Sequence, residues 1–412
     1  MEHAVRTMGS GVVLALAVIA TAGCTVTDVA DVTDSPTAAG SADAIPAYCS
    51  DLEATLGDLA ESMEVPGAVA LVRSEELGDC LLSFGTRSLD EEQPIAPDDQ
   101  FRIGSNTKTM TGTVVLQLVE EGLLSLDDPV SKYRDGVPNG ENIAIEQMLT
   151  MRSGLADYTS TPELATAMDE TPQRVWTPDE VLALSFAQPP AFPPGEGYLY
   201  SNANTVLLGL IIEQVTGMPL EQAFEERIFG PLGLERTLLP ARTSNELPEQ
   251  HAQGYLFGTV TEFMADGGVL PPEQAAQAED GTLAPDDVTD MNPSWGWAAG
   301  AGISTTNDLA RYVEALVEGE LLGEQMQRER IASVQPIDPD NPDSPAYGQA
   351  IVKYGELYGH TGELPGYNTF MGHDPDRDLT LIVWANLIAA PDGRLTSVVL
   401  SQAAIDELYP AG

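Results

Sequence analysis

Hydrophobic and polar positions divide the chain into stretches with no apolar rhythm and stretches that keep one. Residues 11–22 are an apolar run behind Glu2, His3 and Arg6. At about 12 residues the run is too short to cross a bilayer as a helix and has the length of a signal-peptide core. Residues 25–46 are mainly Thr, Asp, Ala, Ser and Pro without periodicity, the composition of a disordered tether. The pattern over 47–63 is helical, and β-rich runs follow at 67–73 and 81–89, parted by an acidic turn. Phe101-Arg102-Ile103-Gly104 leads into Ser105, after which Thr109, Val114, Val115, Leu118, Val119 and Leu123 keep helical spacing.

From 130 to 290 the pattern is helical and loop-rich, with helices expected at 205–217 and 220–228. Residues 265–293 are acidic and rich in Gly, Pro and Ala, have no apolar period, and read as a long surface loop. Beyond Trp295, short apolar runs return at 301–304, 348–353, 366–372 and 379–386, with helices at 306–319 and 395–408. Strands at both chain ends around a helical middle predict an α+β fold. Its expected parts are a signal peptide (1–23), a tether (24–46), a sheet domain from 47–130 and 294–412, and an inserted helical domain over 131–293.

Charge narrows the function. With 64 acidic against 18 basic residues the net charge is −46, and lysine occurs only at 108, 132 and 353. Such a field repels nucleic acid, and no basic stripe offsets it. The scattered carboxylates read as a solvated face, as in proteins from salty surroundings. The apolar run ends in Thr21-Ala22-Gly23-Cys24, which resembles the lipobox of bacterial lipoproteins. That resemblance implies lipidation of Cys24 and attachment to a membrane outside the cytoplasm; simple cleavage and secretion is the alternative. In an oxidising compartment, Cys49 and Cys80 are either a disulfide or two buried thiols. With no further cysteine, and no HExxH spacing among the four histidines, no metal site or cofactor is expected.

Three short motifs carry chemistry. In Ser105-Asn106-Thr107-Lys108 the hydroxyl and the amine fall on one helical face. A serine needs an adjacent base, and burial beside a helix N-terminus pushes a lysine toward its neutral form. The same N-terminus offers backbone N–H groups to an oxyanion. The bland reading is an exposed helix start with a solvated lysine. Tyr200-Ser201-Asn202 follows a Pro/Gly turn and precedes a helix; the phenol can relay a proton and the amide can grip a substrate amide, or Asn202 simply caps the helix. His360-Thr361-Gly362 lies on an expected strand, where glycine allows close approach of a substrate, or the histidine is merely structural.

The order SNTK, YSN, HTG, together with FRIGSNTKTMTGTVVLQLVEEGLLSLDDPV, YLYSNANTVLLGLIIEQVTGMPL, FGPLGLERT, AGAGISTTNDLARYVEAL and YGHTGELPGYN, resembles the serine β-lactamase-like superfamily over residues 65–387. The likeness is to its branch of class C β-lactamases, secreted DD-carboxypeptidases and esterases, and within it to the actinobacterial D-alanyl-D-alanine carboxypeptidases. It implies a β-lactamase/transpeptidase-like fold with an antiparallel sheet, and an exported hydrolase acting through an acyl-enzyme. A β-lactamase or esterase, and a non-catalytic penicillin-binding sensor, are the alternatives. The implied substrates are small peptides, β-lactams or esters. By resemblance Ser105 is the nucleophile, Lys108 and Tyr200 share the proton shuttling, and Asn202, His360, Thr361 and Gly362 line the substrate site. The backbone N–H groups of Ser105 and Glu363 form the oxyanion hole, and Trp295 stands near the pocket or in the core. Three departures matter: Glu363 replaces a hydroxyl residue, Lys353 is the only base near an expected arginine position, and Met151-Arg152-Ser153-Gly154-Leu155 lacks the usual histidine.

Overall fold

The computed structural model describes residues 46–410 apart from 92, 339, 342 and 343. The expected signal peptide, the lipidation site Cys24 and all but the last residue of the tether lie outside the described residues. Helix α1 (Ala47–Ser62) forms where apolar residues recur three or four apart, so that Cys49, Leu52, Leu56 and Ala60 make its buried face. Strands β1 (Gly67–Ser74), β2 (Cys80–Ser88) and β3 (Gln93–Pro94) follow. The C-terminal part supplies β4 (Gln335–Pro336), β5 (Ala346–Tyr347), β6 (Val352–Tyr354), β7 (Leu357–Leu364), β8 (Tyr367–Asp374) and β9 (Leu379–Ala385). They form one nine-stranded sheet in the order β3-β2-β1-β9-β8-β7-β6-β5-β4, antiparallel at every pairing.

The two chain ends meet where β1 pairs with β9, Ala68 opposite Ala385 and Ser74 opposite Leu379. Strand alternation then sorts the cores. Ala68, Ala70 and Val72 join Leu52 and Leu56 of α1 and Leu400 and Ala404 of the C-terminal helix (Thr396–Leu408) on one face, while Val69 and Leu71 join the core on the other. Strands β8 and β9 are buried along their whole length; β9 reads as a nearly continuous apolar run, while β8 also buries Asn368, Thr369, His373 and Asp374. Cys49 and Cys80 form a disulfide, Cα–Cα 5.5 Å, tying α1 to the start of β2. Closing a loop of this size restrains the unfolded chain by roughly 3–4 kcal/mol.

The second core gathers on helix α2 (Thr107–Glu120). Helices α3 (Pro162–Glu170) and α5 (Val260–Asp266) pack on each other, while α4 (Asn202–Thr216) packs on α2. Met110, Val114 and Leu118 of α2 share one apolar cluster with Val206, Leu207 and Ile211 of α4 and with Met371 and Ile382 of the sheet. The core therefore runs without a break across the boundary expected between sheet domain and helical insertion, and the described residues form one compact unit.

The expected loop over 265–293 is a correction. Helix α6 (Pro272–Glu279) lies inside it, and Asp286–Asp287 pairs with Tyr255–Leu256. Proline in the first turn and a run of Ala, Glu and Gln favour a helix on intrinsic propensity. Only Ala278 of that helix is buried, so no apolar period marks it. The strand expected at 301–304 is short, Ile303–Ser304, and pairs with Phe101–Arg102 apart from the large sheet. Together with the Ile103 N–H bond to the Gly302 carbonyl, 2.9 Å, it fixes the chain just before Ser105.

Candidate active site

Ser105 sits in a tight helical turn, Gly104–Asn106, that runs straight into α2. Three residues on, Lys108 is fully buried. Its Nζ lies 2.8 Å from Ser105 Oγ and 2.7 Å from the Ala299 carbonyl oxygen. Burial pushes the amine down to about 7, against the opposing charges of Asp157 and Glu363. Near neutral pH a large fraction is therefore free base, able to accept the serine proton across that 2.8 Å contact.

Tyr200 stands on the extended segment before α4, its ring 4.9 Å from Lys108 Nζ. Burial first, and Tyr347 next, hold its phenol well above the usual range, while a hydrogen bond with Ser105 works the other way. The phenol thus keeps its proton in the resting site. His360 is buried on β7. Its Nδ1 lies 2.6 Å from the Thr361 carbonyl oxygen and its Nε2 3.3 Å from the Tyr347 hydroxyl. Burial and then the Lys108 charge push it down to about 3, so it is a neutral ring at working pH.

Two glycines bring β7 against the Ser105 turn. Gly104 has φ 53°, and a Cβ there would stand 2.6 Å from the Glu363 nitrogen. A Cβ on Gly362 would fall 2.0 Å from the Ile103 carbonyl oxygen. Only bare backbone fits at either position. The contact sets the Glu363 N–H beside the Ser105 turn, as a two-donor oxyanion hole requires. The Glu363 side chain is open to the pocket, yet the protein atoms around that concavity raise its carboxyl, with Lys108 opposing.

Asn202 is the first residue of α4, not its cap, which is Ser201. Its backbone N–H donates to Asp157 Oδ1 at 2.9 Å, and its side-chain NH₂ lies 3.2 and 3.3 Å from the two Asp157 oxygens. The NH₂ is thus engaged by Asp157, and Asn202 also lines the pocket. Trp295 lines the pocket too; its carbonyl accepts from the Tyr158 hydroxyl at 2.7 Å.

One pocket of about 430 Å³ holds Ser105, Tyr200, Asn202, Trp295, His360, Thr361 and Glu363 among its lining. Lys353 is excluded by strand alternation: Val352 and Tyr354 line the pocket, while Lys353 lies 3.7 Å from Glu356. The Tyr347 hydroxyl meets His360 Nε2 instead, and among the described residues the pocket lining includes no Arg and no Lys. Sequence reasoning missed Asp157 and Tyr347. Asp157 follows the SGL segment closely, but only its grip on Asn202 distinguishes it from the other acids. Among the described residues no cluster of three His, Cys, Asp or Glu is placed to hold a metal.

Residues 52–403 match the family described as Beta-lactamase. The chain belongs to that family. It is a serine hydrolase of the β-lactamase and penicillin-binding superfamily. Penicillin-binding protein 4* of Bacillus subtilis is 27% identical over 330 residues, 76% of this chain and 67% of that protein. A D-stereospecific amidohydrolase from Streptomyces is 30% identical, with TM-score 0.72 over 87% of this chain and 99% of the other. The D-amino acid amidase of Ochrobactrum anthropi SV3, solved with L-phenylalanine amide, is 26% identical, with TM-score 0.72 over 88% and 97%.

Proposed function

We propose that this protein cleaves amide or ester bonds by acylating Ser105, and that its preferred substrates carry no carboxylate beside the scissile bond. Lys108 takes the serine proton as Oγ bonds to the carbonyl carbon, and the N–H groups of Ser105 and Glu363 hold the oxyanion. Tyr200 gives its proton to the departing nitrogen or oxygen as the old bond breaks, and Lys108 returns a proton to the phenol. Water then releases the acyl group. The observation that carries this reading is the buried amine 2.8 Å from the hydroxyl, lowered to about 7.

Asp157 and Glu363 line the pocket, and among the described residues its lining includes no Arg or Lys. Two carboxylates repel a substrate carboxylate and favour a neutral amide or an ammonium group. That charge pattern gives more support to an amidase or aminopeptidase action than to the carboxypeptidase suggested by sequence resemblance, in line with the two amidohydrolase-type relatives. The buried disulfide fits folding in an oxidising compartment, and so supports export.

Intact-protein mass spectrometry after incubation with D-phenylalanine amide, N-acetyl-D-Ala-D-Ala and benzylpenicillin tests this. The expected result is a Ser105 adduct lost in Ser105→Ala, amide turnover faster than dipeptide turnover, and acylation about 10²–10⁴-fold slower in Lys108→Ala. Faster release of D-alanine from the dipeptide would restore the carboxypeptidase reading, and labelling that survives Ser105→Ala would defeat both.

A further inference from the structure

The pocket has an arm that the acylation chemistry does not use. We propose that helix α5, seated on α3 by Asp169, closes an apolar arm that selects substrates with a bulky apolar acyl group. This rests on the Ser105 reading above and adds what the acyl group is.

Direction follows from the proton carrier. Tyr200 must face the departing atom, and its ring packs 6.1 Å from both Tyr347 and His360. The leaving group therefore points toward that aromatic side. The other substituent of the carbonyl points the opposite way, past the Glu363–Leu364 end of β7. There the wall is Leu164 and Met168 of α3, Phe263 and Met264 of α5, Trp295 and Ile388. The charged lining residues, Asp157 and Glu363, both act on Lys108 beside Ser105. Met264 is 42% exposed, a large apolar side chain left beside a cavity rather than packed into a core.

The arm has a width because α5 is pinned at both ends. Asp169 Oδ1 accepts the Val260 N–H at 2.8 Å and Oδ2 the Thr261 N–H at 3.0 Å and the Thr261 hydroxyl. Past the helix, the Leu270 N–H donates to the Pro391 carbonyl at 2.8 Å, closing the arm on the side of Ile388. Asp169 is not itself part of the pocket lining and acts as a positioning residue through α5.

The test is a series of p-nitrophenyl esters, acetyl, butanoyl and 3-phenylpropanoyl, which share one leaving group. For the full chain, kcat/KM should rise at least tenfold from acetyl to phenylpropanoyl, the scale of a few buried methylenes. Asp169→Ala should cut that ratio at least fivefold, and Asp169→Asn, which keeps one acceptor, should restore part of it. Ala165→Phe, which fills the arm from α3, should reverse the preference independently of α5. Equal rates across the series, or ratios unchanged in the alanine and phenylalanine variants, overturn the proposal. Absence of any Ser105-dependent ester turnover would instead overturn the parent reading.

Discussion

Lys108 shows what a single residue gives away in sequence and what it conceals. Its spacing from Ser105 is legible, because i and i+3 share a helical face whatever the surroundings. Its protonation is not, since that depends on burial and on Asp157 and Glu363, which lie 49 and 255 positions away. The depressed amine predicts that kcat/KM rises with pH through an apparent midpoint near 7, as the free base appears. Because Glu363 raises Lys108, removing its charge lowers the amine further. Glu363→Gln should therefore move the midpoint to lower pH and improve rates on carboxylate-bearing dipeptides. A midpoint that stays in place in a pH–rate profile would detach Glu363 from the base. Tyr200 adds no opposing limb in that range, since burial keeps its proton on.

At the scale of elements, the strands were the readable part. Nearly unbroken apolar runs report burial on both faces, as β1 and β9 show, while β8 is buried throughout although polar residues interrupt its pattern. Helix α6 was unreadable because it buries almost nothing, and periodicity records burial rather than helicity. The docking of β7 on the Ser105 turn was equally hidden, since a glycine in sequence does not say what approaches it. It does say what replacing it would do. Gly104→Ala strains a positive φ and drives a methyl to 2.6 Å from the Glu363 nitrogen. Acylation should fall about 100-fold through a displaced oxyanion donor, while thermal unfolding stays cooperative and Ser105 remains in place. An alanine variant at full rate would show that the Glu363 N–H does not hold the oxyanion.

For the whole molecule, the sheet built from both ends was legible in outline and its strand order was not, because pairing between distant segments leaves no local trace. The net charge of −46 was fully legible and has a mechanical effect. Like charges crowded on one compact body repel, and salt screens them with a Debye length of about 10 Å at 0.1 M and about 3 Å at 1 M. The melting temperature should climb between 50 mM and 1 M sodium chloride; a flat or falling trend would mean that the acids are neutralised locally.

The pairing of β1 with β9 sets an order of events in time. Ser105 is made early in synthesis, but the β7 backbone that meets its turn, and the strand that pairs with β1, are made much later. A nascent chain lacking its final stretch holds a serine with no partner across the cleft, and long-range pairing of this kind forms slowly. The Ser105 turn therefore stays without its backbone partner until β7, β8 and β9 have been made and paired.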